Sequence, residues 1–261
     1  MKKFRTETLA TVRSLRPIDD AFFRLIGARK EVCQDILRTL LSDEHLIVLS
    51  ATPQERITSL HREIVLDVLC ELGDGKLVNI EVQVGSQNDD VKRCRFHLAS
   101  ITSSKTPKNT FFHDVPDVVI VYITEYDVFG NGQAVTCAEM CQHLESGYVP
   151  VNDGAKIYYA NTAVNDNTDK SELLSLLLQT DSFYNEKFPN LSEAVRYFKE
   201  DESGVSKMCT IVEEYAKEYA KELTEELAKE LAIYMIKDGK STSEIAEVTH
   251  LTEEEINSLR D

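Results

Sequence analysis

Two stretches of the chain alternate between apolar and polar residues. Across 62–72 the even positions hold Ile64, Leu66, Val68 and Cys70, and across 76–84 they hold Val78, Ile80, Val82 and Val84. A period of two predicts strands with one face against a core. Gly73-Asp74-Gly75 between them is a turn signal, so the pair reads as an antiparallel hairpin. Residues 117–124 form an apolar run rich in β-branched side chains, which suits a strand buried on both faces. Residues 150–168, with Asn152-Asp153-Gly154 and the Tyr158-Tyr159 pair, predict a further strand with turns. Elsewhere the period is helical. Phe22, Phe23, Leu25, Ile26, Val32, Ile36, Leu37, Leu40 and Leu41 mark a helical stretch over 19–42, broken at Gly27. Residues 89–104 predict a helix carrying Lys92, Arg93 and Arg95, and from about residue 170 the signals are helical.

The turn sets the hairpin register. A three-residue turn at 73–75 pairs residues whose numbers sum to 148, which puts Asp67 opposite Glu81 with Gln83 on the same face. A one-residue slip would turn Glu81 into the core, and the apolar pattern forbids it. Carboxylates facing each other across antiparallel strands repel by a few tenths of a kcal/mol or more. Asp, Asn and Glu are also weak strand formers. Two readings stay open: the acids are the solvated face of a hairpin, or a divalent cation offsets their repulsion. Such an ion is hard and accepts two carboxylates together with water and phosphate oxygens.

Residues 214–233 repeat every four residues, placing Tyr215, Tyr219, Leu223, Leu227 and Leu231 on one slowly drifting stripe among Glu and Lys. This predicts a long helix whose stripe packs on its own domain or on a second copy of the chain through 205–236. Beyond it, Ser241-x-x-Glu244 and Thr252-x-x-Glu255 match the capping box, and Gly239 stands where a helix would end. The tail therefore reads as short helices of helix-turn-helix proportions around Ile245, Ala246, Val248, Leu251, Ile256 and Leu259. Its last helix begins Glu253-Glu254-Glu255, which repels phosphate, so docking or oligomerisation suits it better than DNA reading.

Composition narrows the class. The 261 residues are 42% hydrophobic and 28% charged, with only 6 Pro and 10 Gly, which excludes collagen and low-complexity disorder. No run approaches the ~18 apolar residues of a membrane helix. Met1-Lys2-Lys3-Phe4-Arg5 has no apolar stretch behind it, so a cytoplasmic protein with no membrane partner is expected. The six Cys then read as reduced thiols. Cys137-x3-Cys141-x-His143 resembles half a zinc site and lacks a second half. No phosphate-binding glycine loop and no HExxH is present. The formal charge of −16 argues against nucleic acid until its distribution is seen. Residues 213–261 carry 14 acids and 6 bases, whereas the far longer stretch 1–212 carries 31 and 23. The acidity is concentrated in the tail, and residues 92–95 offer a basic edge.

Together these segments resemble a known family. Asp67 followed by Glu81-Val82-Gln83 is similar to the D…(D/E)xK core of the PD-(D/E)XK nuclease superfamily, with Gln83 where Lys usually stands. Ile18-Asp19-Asp20-Ala21-Phe22-Phe23-Arg24, Arg62-Glu63-Ile64-Val65-Leu66-Asp67 and Lys92-Arg93-Cys94-Arg95-Phe96 follow the order of its recombination-promoting nuclease and transposase branch. Pro116-Asp117, Asp127-Val128-Phe129-Gly130-Asn131-Gly132, Asn152-Asp153-Gly154 and Arg196-Tyr197-Phe198-Lys199 complete the match, over about residues 12–215. The resemblance implies an α/β fold, an α+β mixed sheet with a restriction-endonuclease-like core at 1–204 and a helical C-terminal extension at 205–261. It implies hydrolysis of DNA phosphodiesters with Mg²⁺ or Mn²⁺. Asp67, Glu81 and the Val82 carbonyl would hold the ion, and Gln83 would orient water or phosphate without adding charge. Asp19 matches the branch's early acid, with helix N-capping as the alternative. Lys92, Arg93 and Arg95 would contact phosphate, or the arginines would pair with the acids.

Overall fold

A computed structural model describes residues 6–58, 63–85 and 90–260. Arg62, quoted in the resemblance above, lies outside the described residues. The chain begins with α1 (Thr6–Ser14), α2 (Asp20–Gly27) and α3 (Lys30–Leu41). It continues through β1 (Val48–Thr58), β2 (Glu63–Leu72), β3 (Leu77–Gln83), α4 (Asp90–Lys105) and β4 (Val118–Thr124). Then come β5 (Val135–Glu139), β6 (Cys141–Leu144), β7 (Gly147–Pro150) and β8 (Ala155–Asn161). The remainder is helical: α5 (Asp169–Leu176), α6 (Pro189–Glu200), α7 (Glu202–Lys237), α8 (Thr242–Thr249) and α9 (Glu253–Ser258).

Six strands form one mixed sheet in the order β1-β2-β3-β4-β8-β5, with β6 and β7 as a separate two-stranded ribbon. β1, β2 and β3 are antiparallel neighbours. β3, β4 and β8 run parallel, and β5 returns antiparallel to β8. The fold is the α/β mixed sheet with a helical C-terminal region that the sequence predicts. β4 lies between two parallel neighbours and all seven of its residues are buried, as its unbroken apolar run requires. A parallel pair needs a long crossover, and α4 supplies it between β3 and β4.

Helices cover the sheet, so of the two readings left open for the hairpin's polar face the solvated one does not hold at Asn79 and Glu81. Val68 of β2 meets α2: a Cβ added to Gly27 would lie 2.4 Å from Val68 Cγ2, so only glycine lets α2 seat this closely. Leu69, with Ile64 and Leu66, lies on the side of α4. Leu69, Ile120, Tyr122 and Tyr159 pack with Cys94 and Ile101 in one buried cluster. The face carrying Asn79 and Glu81 is thus interior, with Asn79 0% and Glu81 7% exposed. Val82 is only half-buried and Val84 is exposed, because the even face opens at the end of β3.

β1, β5 and the β6/β7 ribbon lack the period-two signal in the sequence. β1 is an edge strand containing Pro53, where a missing ladder donor is tolerated. The residues of β6 are all exposed, so no apolar alternation is imposed on them.

The chain divides into two compact units, residues 1–209 and 210–261, with the division inside α7. In the second unit, Ala232, Ile245, Leu251 and Ile256 form a small core with Ala228, Met235, Ile236, Ala246 and Leu259 packed against it. Both capping boxes predicted for this tail are made, at Ser241/Glu244 and Thr252/Glu255. Val248, expected in the core, is 55% exposed. Tyr215, Tyr219, Leu223, Leu227 and Leu231 are exposed, while the adjacent alanines at 228 and 232 do the packing.

Candidate active site

β2 and β3 pair in the predicted register, with Val68 opposite Ile80, Leu69 opposite Asn79 and Cys70 opposite Val78. The same register brings Asp67 to Glu81. The Leu72 N–H donates to the Lys76 carbonyl at the turn, which makes even residues the hydrogen-bonded pairs and Asp67/Glu81 a non-hydrogen-bonded one. Side chains approach most closely at such pairs.

The ladder stops at Val68/Ile80, and side chains take over beyond it. The Val82 N–H donates to Asp67 Oδ2 at 2.8 Å, and the Asp67 N–H donates to Glu81 Oε1 at 3.3 Å. In an extended residue N–H and C=O point the same way, so the Val82 carbonyl also faces the Asp67 side. On the other edge of β2, pairing with β1 skips Gln54/Asp67, where Gln54 has φ 56. Leu66 and Leu69 join the same buried cluster although three apart. Asp67 therefore sits where the β2–β3 ladder ends and the β1–β2 ladder skips one pair.

Its electrostatics follow from that position. Burial, then the charges of Glu81 and Asp20, push the Asp67 carboxyl well above the usual carboxylate range. The Val82 N–H and the charge of Arg93 oppose the shift. Glu81 Oε1 also accepts from Asn79 Nδ2 at 2.6 Å and lies 3.3 Å from His97 Nδ1.

The structure separates the residues singled out from the sequence. Asp19 precedes α2 and is bound by Arg16, through the main-chain N–H at 2.6 Å and through Nη2 at 2.7 Å. Arg16 also holds Glu125. Asp19 makes no side-chain cap for α2, so the N-capping alternative does not hold either. The acid that acts on Asp67 is the neighbouring Asp20, the first residue of α2. The sequence pattern points to Asp19 and carries no signal for its neighbour Asp20. Gln83 turns away, its amide donating to the Val84 and Gly85 carbonyls at 3.3 and 3.2 Å. Of the basic trio, Arg93 is half-buried and its charge reaches Asp67, whereas Lys92 and Arg95 are exposed on other faces of α4.

Residues the sequence reading passed over set α4 in place. Asp90, at its first turn, is buried and accepts from Tyr122 at 2.9 Å and Tyr126 at 2.5 Å. His97 lies on the buried stripe with Cys94 and Ile101. Cys137 and Cys141 are exposed, and His143 stacks on Tyr148 at 4.7 Å. Among the described residues no three His, Cys, Asp or Glu side chains are grouped to hold a metal ion by themselves. The chemistry of the donors at Asp67, Glu81 and the Val82 carbonyl fits an ion that takes one or two carboxylates and completes its shell with water and substrate oxygens.

A family model described as PD-(D/E)XK nuclease family transposase matches residues 17–232. The chain belongs to this family. The match begins just before α2 and ends within α7, so it takes in every element of the site. None of the curated proteins and none of the solved structures matches the chain. Nuclease-type chemistry, with DNA and divalent metal as partners, is what membership of the PD-(D/E)XK family implies. Among the described residues no helix is long and apolar enough to cross a membrane.

Proposed function

We propose that this PD-(D/E)XK family member is a Mg²⁺- or Mn²⁺-dependent DNA endonuclease acting in recombination. One observation carries the reading: Asp67 and Glu81 lie side by side just past the end of the β2–β3 ladder, joined through the Asp67 N–H to Glu81 Oε1 and the Val82 N–H to Asp67 Oδ2. Two acids are thereby held side by side with a main-chain carbonyl turned toward them. The metal, when bound, would acidify an attacking water and polarise the phosphate. Asp67, Glu81 and the Val82 carbonyl would be its protein ligands, and Asp20 replaces Asp19 as the third acid of the site. Arg93 supplies a positive charge that acts on Asp67, a role the superfamily gives to the Lys that Gln83 replaces. Lys92 and Arg95, exposed on α4, serve as phosphate contacts outside the site.

Plasmid nicking in Mg²⁺ against EDTA tests the reading, alongside Asp67→Ala and Glu81→Ala. Cleavage is expected only in the ion and only with both acids. If both variants still cut, the site is elsewhere.

A second reading has its own support. Gln83 is bound to its own loop and the stripe on α7 is exposed, with Tyr219 at 59% and Leu227 at 55%. These favour a weakly catalytic or inactive nuclease fold that assembles through 205–236. It predicts no ion-dependent cleavage, and a smaller species in light scattering when the chain ends at residue 204. Equal oligomeric states would reject it.

A further inference from the structure

Two hydrogen-bond donors and one close imidazole contact meet at a single oxygen of Glu81. Asn79 Nδ2 reaches Oε1 at 2.6 Å, the Asp67 N–H at 3.3 Å, and His97 Nδ1 lies 3.3 Å away. No hydrogen bond to Oε2 is made among the described residues. Asn79 comes from β3 itself, two residues before Glu81, and His97 from α4, so the carboxylate is gripped from two elements. Both gripping side chains are interior, Asn79 at 0% and His97 at 8% exposure. Both also keep an orphan: Asn79 Oδ1 and His97 Nδ1 are buried without a hydrogen-bond partner. A polar cluster serving packing alone would satisfy its members or be replaced by apolar side chains. This one leaves atoms unsatisfied while concentrating its donors on one side of one carboxylate.

We infer that Asn79 and His97 are positioning residues that fix Glu81 by Oε1 and reserve Oε2 for a divalent cation. The inference rests on the reading of Asp67 and Glu81 as cation ligands. Partners behind a ligating carboxylate set its orientation, and their loss costs 10–100-fold in metal affinity. Asn79 does this without charge, and its amide orientation is set because its oxygen would repel the carboxylate.

The test is Mn²⁺ affinity of the metal-stripped full chain without DNA, by calorimetry and by the loss of free-ion EPR signal. Asn79→Leu and His97→Leu should bind Mn²⁺ about 10–100-fold more weakly than the parent. His97→Asn, which keeps a polar N–H near the position of Nδ1, should recover most of that loss, whereas a packing role would not favour Asn over Leu. Asn79→Ala and His97→Phe provide second removals if a leucine variant does not fold. Asp67→Ala is the control for the site itself. If Asp67→Ala loses Mn²⁺ while the Asn79 and His97 variants bind like the parent, positioning is overturned and the site stands. If Asp67→Ala binds like the parent, the ligand reading fails and this inference with it.

Discussion

Replacing Asp67 by Asn should stabilise the ion-free protein. Asp67 and Glu81 occupy a non-hydrogen-bonded cross-strand pair, with Cβ atoms about 4.5–5.5 Å apart. Two unit charges about 5 Å apart repel by about 3 kcal/mol at an effective dielectric constant near 20. Asn has the same shape, still accepts the Val82 N–H through its oxygen, and gives up only the attraction of Arg93. A net gain of about 2 kcal/mol follows, or about 4–8 °C in Tm for a domain of this size. The sign with pH is also determined. Burial, Glu81 and Asp20 raise the folded-state pKa of Asp67 above its unfolded value. Its protonated form therefore supports the wild-type fold fully below an unfolded pKa near 3.9, and that support is lost as pH rises through the folded value. The variant has nothing to lose, so its advantage should grow from pH 4 to pH 8. Thermal melts in EDTA across that range measure it. A variant that melts at or below the parent at pH 8, or an advantage independent of pH, would refute the repulsion argument. Adding Mn²⁺ should reverse the order, since only the parent can gain from binding, by about 2.7 kcal/mol at 100 times Kd.

Other outcomes follow from single contacts. Lys199 Nζ donates to the carbonyls of Val12, Arg13 and Leu15 at 3.0, 2.9 and 2.6 Å, closing the last turn of α1. Lys199→Met should cost about 1–3 kcal/mol in urea unfolding, and an unchanged midpoint would sink that role. Gly27→Ala places a Cβ 2.4 Å from Val68 Cγ2 and should cost about 1–3 kcal/mol. It should also weaken Mn²⁺ binding, because α2 carries Asp20; full affinity would detach Asp20 from the site. Ser241 accepts from the Glu244 N–H at the start of α8, so Ser241→Ala should destabilise that helix by about 1 kcal/mol. Faster hydrogen exchange over 242–249 is the readout.

Much of the site was legible because it lies within one hairpin. Local alternation and a three-residue turn set the register, and the register alone brings Asp67 to Glu81. The buried run of β4 and the capping boxes of α8 and α9 were legible for the same reason: each is decided by residues a few positions apart. Edge strand β1 and ribbon β6/β7 carry no alternation, because a strand exposed on both sides or ending a sheet has no core to pattern it. What only the tertiary structure decided is which distant groups meet the pair. Arg16 takes Asp19, and Asp20 on α2 is the acid whose charge acts on Asp67. Arg93 was separated from Lys92 and Arg95 by the rotation of α4 about its axis. The polar face of the hairpin became interior because α4 must close the parallel crossover above it, and burial there raises the Asp67 pKa and leaves Asn79 and His97 with unpaired atoms. Sequence sets pairings between near neighbours; desolvation and field at a site are sums over everything packed around it, and those exist only once the chain has folded.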